Sequence, residues 1–252
     1  MMITSLQNEK VKLAHALQTA AKARRKERKI VLEGARLVLD ACRGGHRPDF
    51  VLVGEGADAE ALARLRALSI EALAVSDEVL RHISDTQQPQ GIVAVFPMPD
   101  GVLPADPAHV LILDAIRDPG NLGTILRTAA AAGVDAVLLS PTCADPYNPK
   151  ALRGGMGAHF RVPLSGRTWA QIGEYCQHLT VYIADGDGEL LYNAAEWAGR
   201  WGLIIGSEAH GAGDEARRLA TARVRIPMAA DSESLNAAVA AGVILFEARR
   251  ER

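Results

Sequence analysis

Residues 110–250 alternate short strands that are apolar throughout with helical stretches, and this rhythm leaves few ways to fold. Strands are predicted at 110–114, 136–140, 181–184, 203–206 and 224–227, and helices at 122–132, 149–157, 169–178 and 234–249. A strand with no polar face has to be covered on both sides, so the expected fold is α/β, a parallel sheet with helices on each face. A smaller α/β pattern precedes it. An amphipathic helix is predicted over 8–25, then strands near 30–32, 50–53, 72–75 and 91–96, with helices at 35–43, 59–68 and 77–83 between them. The stretch 97–107 holds Pro97, Pro99, Pro104, Pro107 and Gly101, which suit neither a helix nor a central strand. The expected division is therefore a domain over 1–97, a linker over 98–108 and a larger domain over 109–252.

Composition narrows the class. Hydrophobic residues make up 48% of the 252 and charged residues 23%, the balance of a globular protein with a substantial core. No apolar run approaches the roughly 18 residues of a membrane span, and the first dozen residues lack the layout of a signal peptide. Cys42, Cys143 and Cys176 are odd in number and far apart, with no CxxC pair. A disulfide framework and a zinc site are not expected, and a cytoplasmic location suits three free thiols. The net charge of −2 hides an uneven distribution, because residues 22–29 read Lys-Ala-Arg-Arg-Lys-Glu-Arg-Lys. Arg24, Arg25, Arg28 and Lys29 are candidates for contacting a phosphate backbone. The bland alternative is a solvated helix end, where cations suit the C-terminal dipole.

Three segments carry possible chemistry. Asp118-Pro-Gly-Asn-Leu-Gly-Thr-Ile-Leu-Arg-Thr-Ala129 follows the strand at 110–114, and ligands of open α/β sheets collect beyond such strand ends. Asn121 has the residue type of a helix cap, and Arg127 is either a surface arginine or a functional cation. Gly202-Leu-Ile-Ile-Gly-Ser-Glu-Ala-His-Gly-Ala-Gly213 runs from a strand into a glycine-dense loop that lets backbone approach a ligand closely. Residues 211–216 loosely match a dinucleotide fingerprint, but they stand too far from their strand for a nicotinamide site. His210 is expected to be a loop hydrogen-bonding residue and not a catalyst. The third segment, 226–242, ends a strand, crosses a polar loop and enters a helix of small residues, with Asn236 in its first turn.

The segments NLGTILRTA, LIIGSEAHGAG and IPMAADSESLNAAVAAGVILFEA, with DPYNPKALRGGMGAHFRVPL between them, resemble the three motifs of the SPOUT class of RNA methyltransferases, TrmH/SpoU branch. The resemblance covers about residues 109–250. Residues 1–97 resemble the substrate-binding extension of the rRNA-modifying members, similar to a ribosomal L30e-like domain. The resemblance implies a trefoil knot in the C-terminal domain, a homodimer through that domain, and S-adenosylmethionine held largely by backbone at Ala184, Gly206, Ile226, Met228, Ser234 and Leu235. It implies a catalytic set of Asn121, Arg127, Glu208, Ser234 and Asn236, with no metal. Ala230 replaces a glycine, and Ala237-Ala238 a Val-Ser pair, found in many members. Both changes conserve size.

The activity implied is methyl transfer to a ribose 2′-hydroxyl in structured RNA, with 23S rRNA favoured over tRNA by the N-terminal extension. An ordinary arginine is a poor base, so Arg127 is read as a stabiliser of the nascent alkoxide and the adjoining phosphate. The alternatives are a catalytically inactive RNA-binding protein of the same fold and a nicotinamide-dependent oxidoreductase.

Overall fold

The computed structural model describes residues 2–86, 89–208, 211–229 and 234–250. The chain forms two compact units, Met1–Asp100 with Tyr147–Phe160, and Gly101–Pro146 with Arg161–Arg252.

In the first unit, β1 (Lys29–Glu33), β2 (Phe50–Val53), β3 (Ala72–Ala74) and β4 (Ile92–Pro97) form a mixed sheet in the order β1-β4-β2-β3. β4 runs antiparallel to β1 and β2, whereas β2 and β3 are parallel. Alternate residues point to opposite faces, as strand geometry requires. Ile30, Leu32, Val51 and Val53 join Val38 of α3 (Ala35–Arg43) and Leu65 of α4 (Ala59–Ala67) in one core. Val31, Leu52, Val93 and Val95 join Leu17 of α1 (Glu9–Thr19) and Ile83 of α5 (Asp77–Ile83) in the other.

The single helix predicted over 8–25 is two. Ala20 is extended, at φ −127° and ψ 114°, and separates α1 from α2 (Ala21–Glu27). The break lets Arg24 turn inward, where its guanidinium donates to the carbonyls of Leu17 (2.6 Å) and Gln18 (3.4 Å), which the end of α1 leaves without helical partners. Arg24 is only 3% exposed, so the expectation that it contacts RNA is withdrawn. Lys29 is half-buried and pairs with Asp49 at 2.7 Å. Arg28 caps α2 in the left-handed region, its guanidinium 3.8 Å from Asp100. Arg25 is exposed.

Among the described residues the second unit holds seven strands: β5 (His109–Leu113), β6 (Ala136–Leu139), β7 (Leu164–Gly166), β8 (Thr180–Ala184), β9 (Leu190–Leu191), β10 (Trp201–Ile205) and β11 (Ala222–Arg225). Their order is β7-β6-β5-β10-β8-β11-β9, and every pairing is parallel. The short edge strands β7 and β9 are absent from the sequence-based expectation. Among the described residues, four α-helices belong to this unit: α6 (Pro119–Ala132), α8 (Trp169–Tyr175), α9 (Asp214–Leu219) and α10 (Ala237–Arg250). Ile172 of α8 and Ala216 of α9 pack on Val110, Ile112, Val181 and Ile204 of the sheet. α6 and α10 lie against each other. The remaining helix, α7 (Pro149–Gly155), lies within 109–252 in sequence but packs in the first unit, where Leu152 joins the core beneath β1 and β4. Among the described residues, no helix is long and apolar enough to cross a membrane.

Gly91 leads into β4 at φ +78°, and a Cβ there would stand 2.8 Å from the Ala57 Cα. Left-handed strain and overpacking act together, so Gly91→Ala is expected to cost about 2–4 kcal/mol in urea unfolding followed by circular dichroism. A loss below about 0.5 kcal/mol would show that the turn adapts freely.

Candidate active site

The strands β5, β10, β8 and β11 end at Leu113, Ile205, Ala184 and Arg225, and two cavities open beyond them. One is 730 Å³ and the other 220 Å³. Ser207, Glu208, Gly211 and Ala237 border both, forming a shared wall.

A small polar cluster builds that wall. The Glu208 carboxylate accepts hydrogen bonds from the side-chain amides of Asn121 and Asn236, the latter at 2.7 Å. The Asn236 amide also donates to Asn121 Oδ1 at 3.2 Å. Asn236 lies just before α10, where its Oδ1 accepts from the backbone N–H of Ala238 (2.9 Å) and Val239 (3.3 Å). It is thus the cap of α10, and the helix predicted from 234 begins at Ala237. At α6 the cap is Asp118 instead of Asn121, accepting from the Asn121 N–H at 2.8 Å, with Pro119 at the first helical position. This leaves the Asn121 amide free to meet Glu208.

The smaller cavity is lined by Ala184, Gly206, Ile226, Met228, Ser234 and Leu235, so the structure gathers all six residues implied as cofactor contacts. Ile205, Val224 and Ile244 add apolar wall. Ser207 and Gly211 exchange two backbone hydrogen bonds of 2.9 Å, closing a tight loop against Gly206. A Cβ at Gly206 would overlap the backbone of Gly211 and Ala212. Ile226 and Met228 lie beyond the last paired residue of β11, where backbone donors and acceptors are no longer committed to a neighbouring strand.

Two carboxylates at this edge escaped the reading of the sequence. Asp114 is 6% exposed at the end of β5. It accepts from the Gly213 N–H (2.8 Å) and the Ser140 hydroxyl (3.0 Å), tying the glycine loop to the sheet. Asp185 lines the smaller cavity. Burial alone would raise its pKa, but the Asp187 N–H and the guanidiniums of Arg217 and Arg223 outweigh that and hold it below the ordinary carboxylate range. The available signal was position, an acid placed directly after a mostly apolar strand.

Arg127 stands apart. It is exposed on α6, lines neither cavity, and has no ion-pair partner among the described residues. Although Arg127 is implied in the same catalytic set, neither cavity lining nor the hydrogen bonds of the Asn121–Glu208–Asn236 cluster include it. His210 and Ala230 lie outside the described residues.

A seven-stranded parallel sheet with a polar cluster at its carboxyl edge defines an α/β protein built to hold a ligand beyond β10 and β11. The chain belongs to the SpoU rRNA methylase family, whose model matches residues 108–246; residues 8–94 match the MRM3-like substrate binding domain. It is similar to the 23S rRNA (guanosine(2553)-2′-O)-methyltransferase RlmP of Bacillus subtilis, at 35% identity covering 98% of both chains. It is 36% identical to the mitochondrial rRNA methyltransferase 3A of Danio rerio over 90% of its length, and spans 65% of that longer protein. Among solved structures, the AdoMet-bound rRNA methyltransferase of Sinorhizobium meliloti superposes with a TM-score of 0.85 at 32% identity, covering 99% of this chain and 97% of that one.

Asn236→Asp tests the cluster. It keeps the acceptor that caps α10 but replaces the amide donor with a second carboxylate against Glu208. Like charges raise the pKa of the pair in the folded state above its unfolded value. The stability deficit relative to wild type is expected to be small near about pH 4 and to grow to roughly 1–2 kcal/mol by about pH 7 at this exposed site. Urea unfolding at both pH values measures it, and a deficit independent of pH would mean that the two side chains do not meet.

Proposed function

We propose that this protein transfers a methyl group from S-adenosylmethionine to a ribose 2′-hydroxyl in rRNA. The observation that carries the reading is the shared wall, where the Asn121–Glu208–Asn236 cluster borders a cavity lined by Ala184, Gly206, Ile226, Met228, Ser234 and Leu235. The cavity suits the cofactor in kind. Apolar walls from Ile205, Ile226 and Leu235 fit a flat purine, and the uncommitted backbone beyond β11 fits its polar edge. When bound, S-adenosylmethionine supplies a sulfonium methyl group, an electrophile that needs no metal to activate it. The chain has to align the attacking oxygen and ease departure of its proton. Asn121, Asn236 and Ser234 orient the ribose, while Glu208 holds the two amides in place. The relative RlmP acts on 23S rRNA. That supports large-subunit rRNA as the substrate, with tRNA as the alternative, and the N-terminal unit as an L30e-like RNA-binding domain.

A homodimer through the second unit belongs to the same reading. Val239 and Phe246, both 50% exposed and seven residues apart on α10, form an apolar stripe that a second copy would cover. Arg127 reaches neither cavity of its own chain, so its cation serves a site completed by that second copy. α10 returns from the β11 edge to pack on α6 and β10, the path a threaded C-terminal segment would take, and the trefoil knot is part of the proposal. Three free cysteines suit a cytoplasmic protein. Arg25 and Arg28 remain the RNA-facing candidates of the basic run, with Lys29 partly neutralised by Asp49.

Methyl transfer from labelled cofactor to rRNA, measured in single turnover with saturating reactants, tests the function directly. Arg127→Ala is expected to slow the reaction by about 10²–10³-fold, with cofactor affinity nearly unchanged. Arg127→Lys should recover little, since a point charge cannot replace the planar fork. Wild-type rates in both variants would return Arg127 to the surface, and absence of transfer by the wild-type chain would remove the activity. Sedimentation of the full chain at micromolar concentration is expected to give a dimer that Phe246→Glu weakens, whereas a wild-type monomer would overturn the paired site.

A further inference from the structure

We infer that the larger cavity is a second ligand site, built for the base and phosphate of the RNA nucleotide being methylated, and that its chemistry selects guanine. The inference rests on the methyltransferase reading, which places the cofactor in the smaller cavity and leaves the 730 Å³ one without a ligand.

Position argues first. The chain leaves β5 toward β6 on one side, while β10 lies on its other side. The order of the sheet therefore reverses at β5, and doubly wound sheets bind ligands in the crevice outside such a reversal. Asp114, Ala115 and Ile116, at the end of β5, line this cavity. Its volume lies within the roughly 300–1,000 Å³ of small-molecule sites. The wall it shares with the smaller cavity carries Glu208, so a nucleotide seated here puts its ribose beside the methyl donor, with the polar cluster at the junction.

The lining chemistry then names the ligand. Trp169, half-buried at the start of α8, packs against the core while reaching the cavity, which gives a base a fixed aromatic face. Arg117 and Arg218 are exposed at the rim without an ion-pair partner among the described residues, as phosphate contacts would require. Of the five acids lining the cavity, Asp114, Asp118 and Glu208 are already engaged in the fold. Asp214 and Glu215 have no such partner among the described residues. A carboxylate accepts two parallel N–H bonds from the N1 and N2 edge of guanine. Uracil offers one N–H flanked by two carbonyls, which a carboxylate repels.

Trp169 makes the test direct, because the other two tryptophans, Trp197 and Trp201, are 1% and 0% exposed. Guanosine and uridine 5′-monophosphates are titrated into the full-length protein while tryptophan fluorescence is read, with and without saturating S-adenosylhomocysteine. Guanosine monophosphate is expected to quench saturably, to persist beside S-adenosylhomocysteine, and to lose its signal in Trp169→Phe. The double variant Asp214→Asn, Glu215→Gln should weaken guanosine monophosphate by about tenfold or more and narrow its advantage over uridine monophosphate. Circular dichroism of each variant reports folding independently. Displacement of guanosine monophosphate by S-adenosylhomocysteine would overturn the proposal, as would equal binding of both nucleotides or a wild-type affinity in the double variant. Guanosine monophosphate binding without any S-adenosylhomocysteine binding would instead sink the methyltransferase reading and leave the nucleotide site standing.

Discussion

Two fourteen-residue helices, α6 and α10, begin at the same carboxylate. Aligned peptide dipoles leave partial positive charge at a helix N-terminus, so two such ends brought together repel unless something negative lies between them. Glu208 supplies it, reached through Asn121 in the first turn of one helix and through Asn236 at the cap of the other. The packing that follows is close: a Cβ on Gly242 of α10 would stand 3.7 Å from the Thr128 side chain of α6. Because Glu208 sits on the loop after β10, anchoring it also fixes Ser207 and Gly211, and with them the wall between the two cavities.

The sheet imposes the complementary constraint. Inside a parallel sheet covered on both faces, backbone N–H and C=O groups are committed to neighbouring strands and unavailable to a ligand. They become available only where the ladders stop. At that edge the structure places Gly206, whose lack of a side chain admits the Ser207–Gly211 loop, and the free backbone after β11. Asp114 and Asp185 work at the same boundary. Each follows a strand end and commits its charge there: to the Gly213 N–H and the Ser140 hydroxyl for the first, and to the Asp187 N–H with Arg217 of α9 and Arg223 of β11 for the second.

The first unit shows how a charged sequence can turn its charges inward. Glu33, 8% exposed, accepts from the Thr86 hydroxyl (2.6 Å), the Asp85 N–H (3.1 Å) and the Ser84 hydroxyl, so a buried acid organises the loop after α5. Arg24 does the same for the end of α1. A run of cations that reads in one dimension as a phosphate-binding strip is divided in three, with one member buried and one paired to Asp49. Its electrostatic footprint is therefore smaller than its composition suggests, and the expected salt dependence of RNA binding is correspondingly shallower.

Much of the fold was legible in the chain because it depends on neighbours in sequence. The strands predicted at 110–114 and 203–206 form at His109–Leu113 and Trp201–Ile205, the prolines at 97–107 read as a break, and Gly206 stood at a strand end where a ligand needs close approach. The motif resemblance pointed to six residues spread over three loops, and those six now line one cavity. Other features had no local signature. β7 and β9 are three- and two-residue strands that exist only because a neighbouring edge offers them a ladder. The break at Ala20 interrupts a continuous helical pattern and lets Arg24 satisfy the carbonyls at the end of α1, and α7 packs with the first unit because Leu152 fits the core beneath β1. Periodicity and residue type thus determined which segments form strands and helices and which loops carry the polar chemistry. The meeting of Asn121 with Glu208 and Asn236, the withdrawal of Arg24 and the isolation of Arg127 were decided only by tertiary packing, because Asn121 finds its partners 87 and 115 positions away and Arg24 turns inward only where Ala20 has broken the helix.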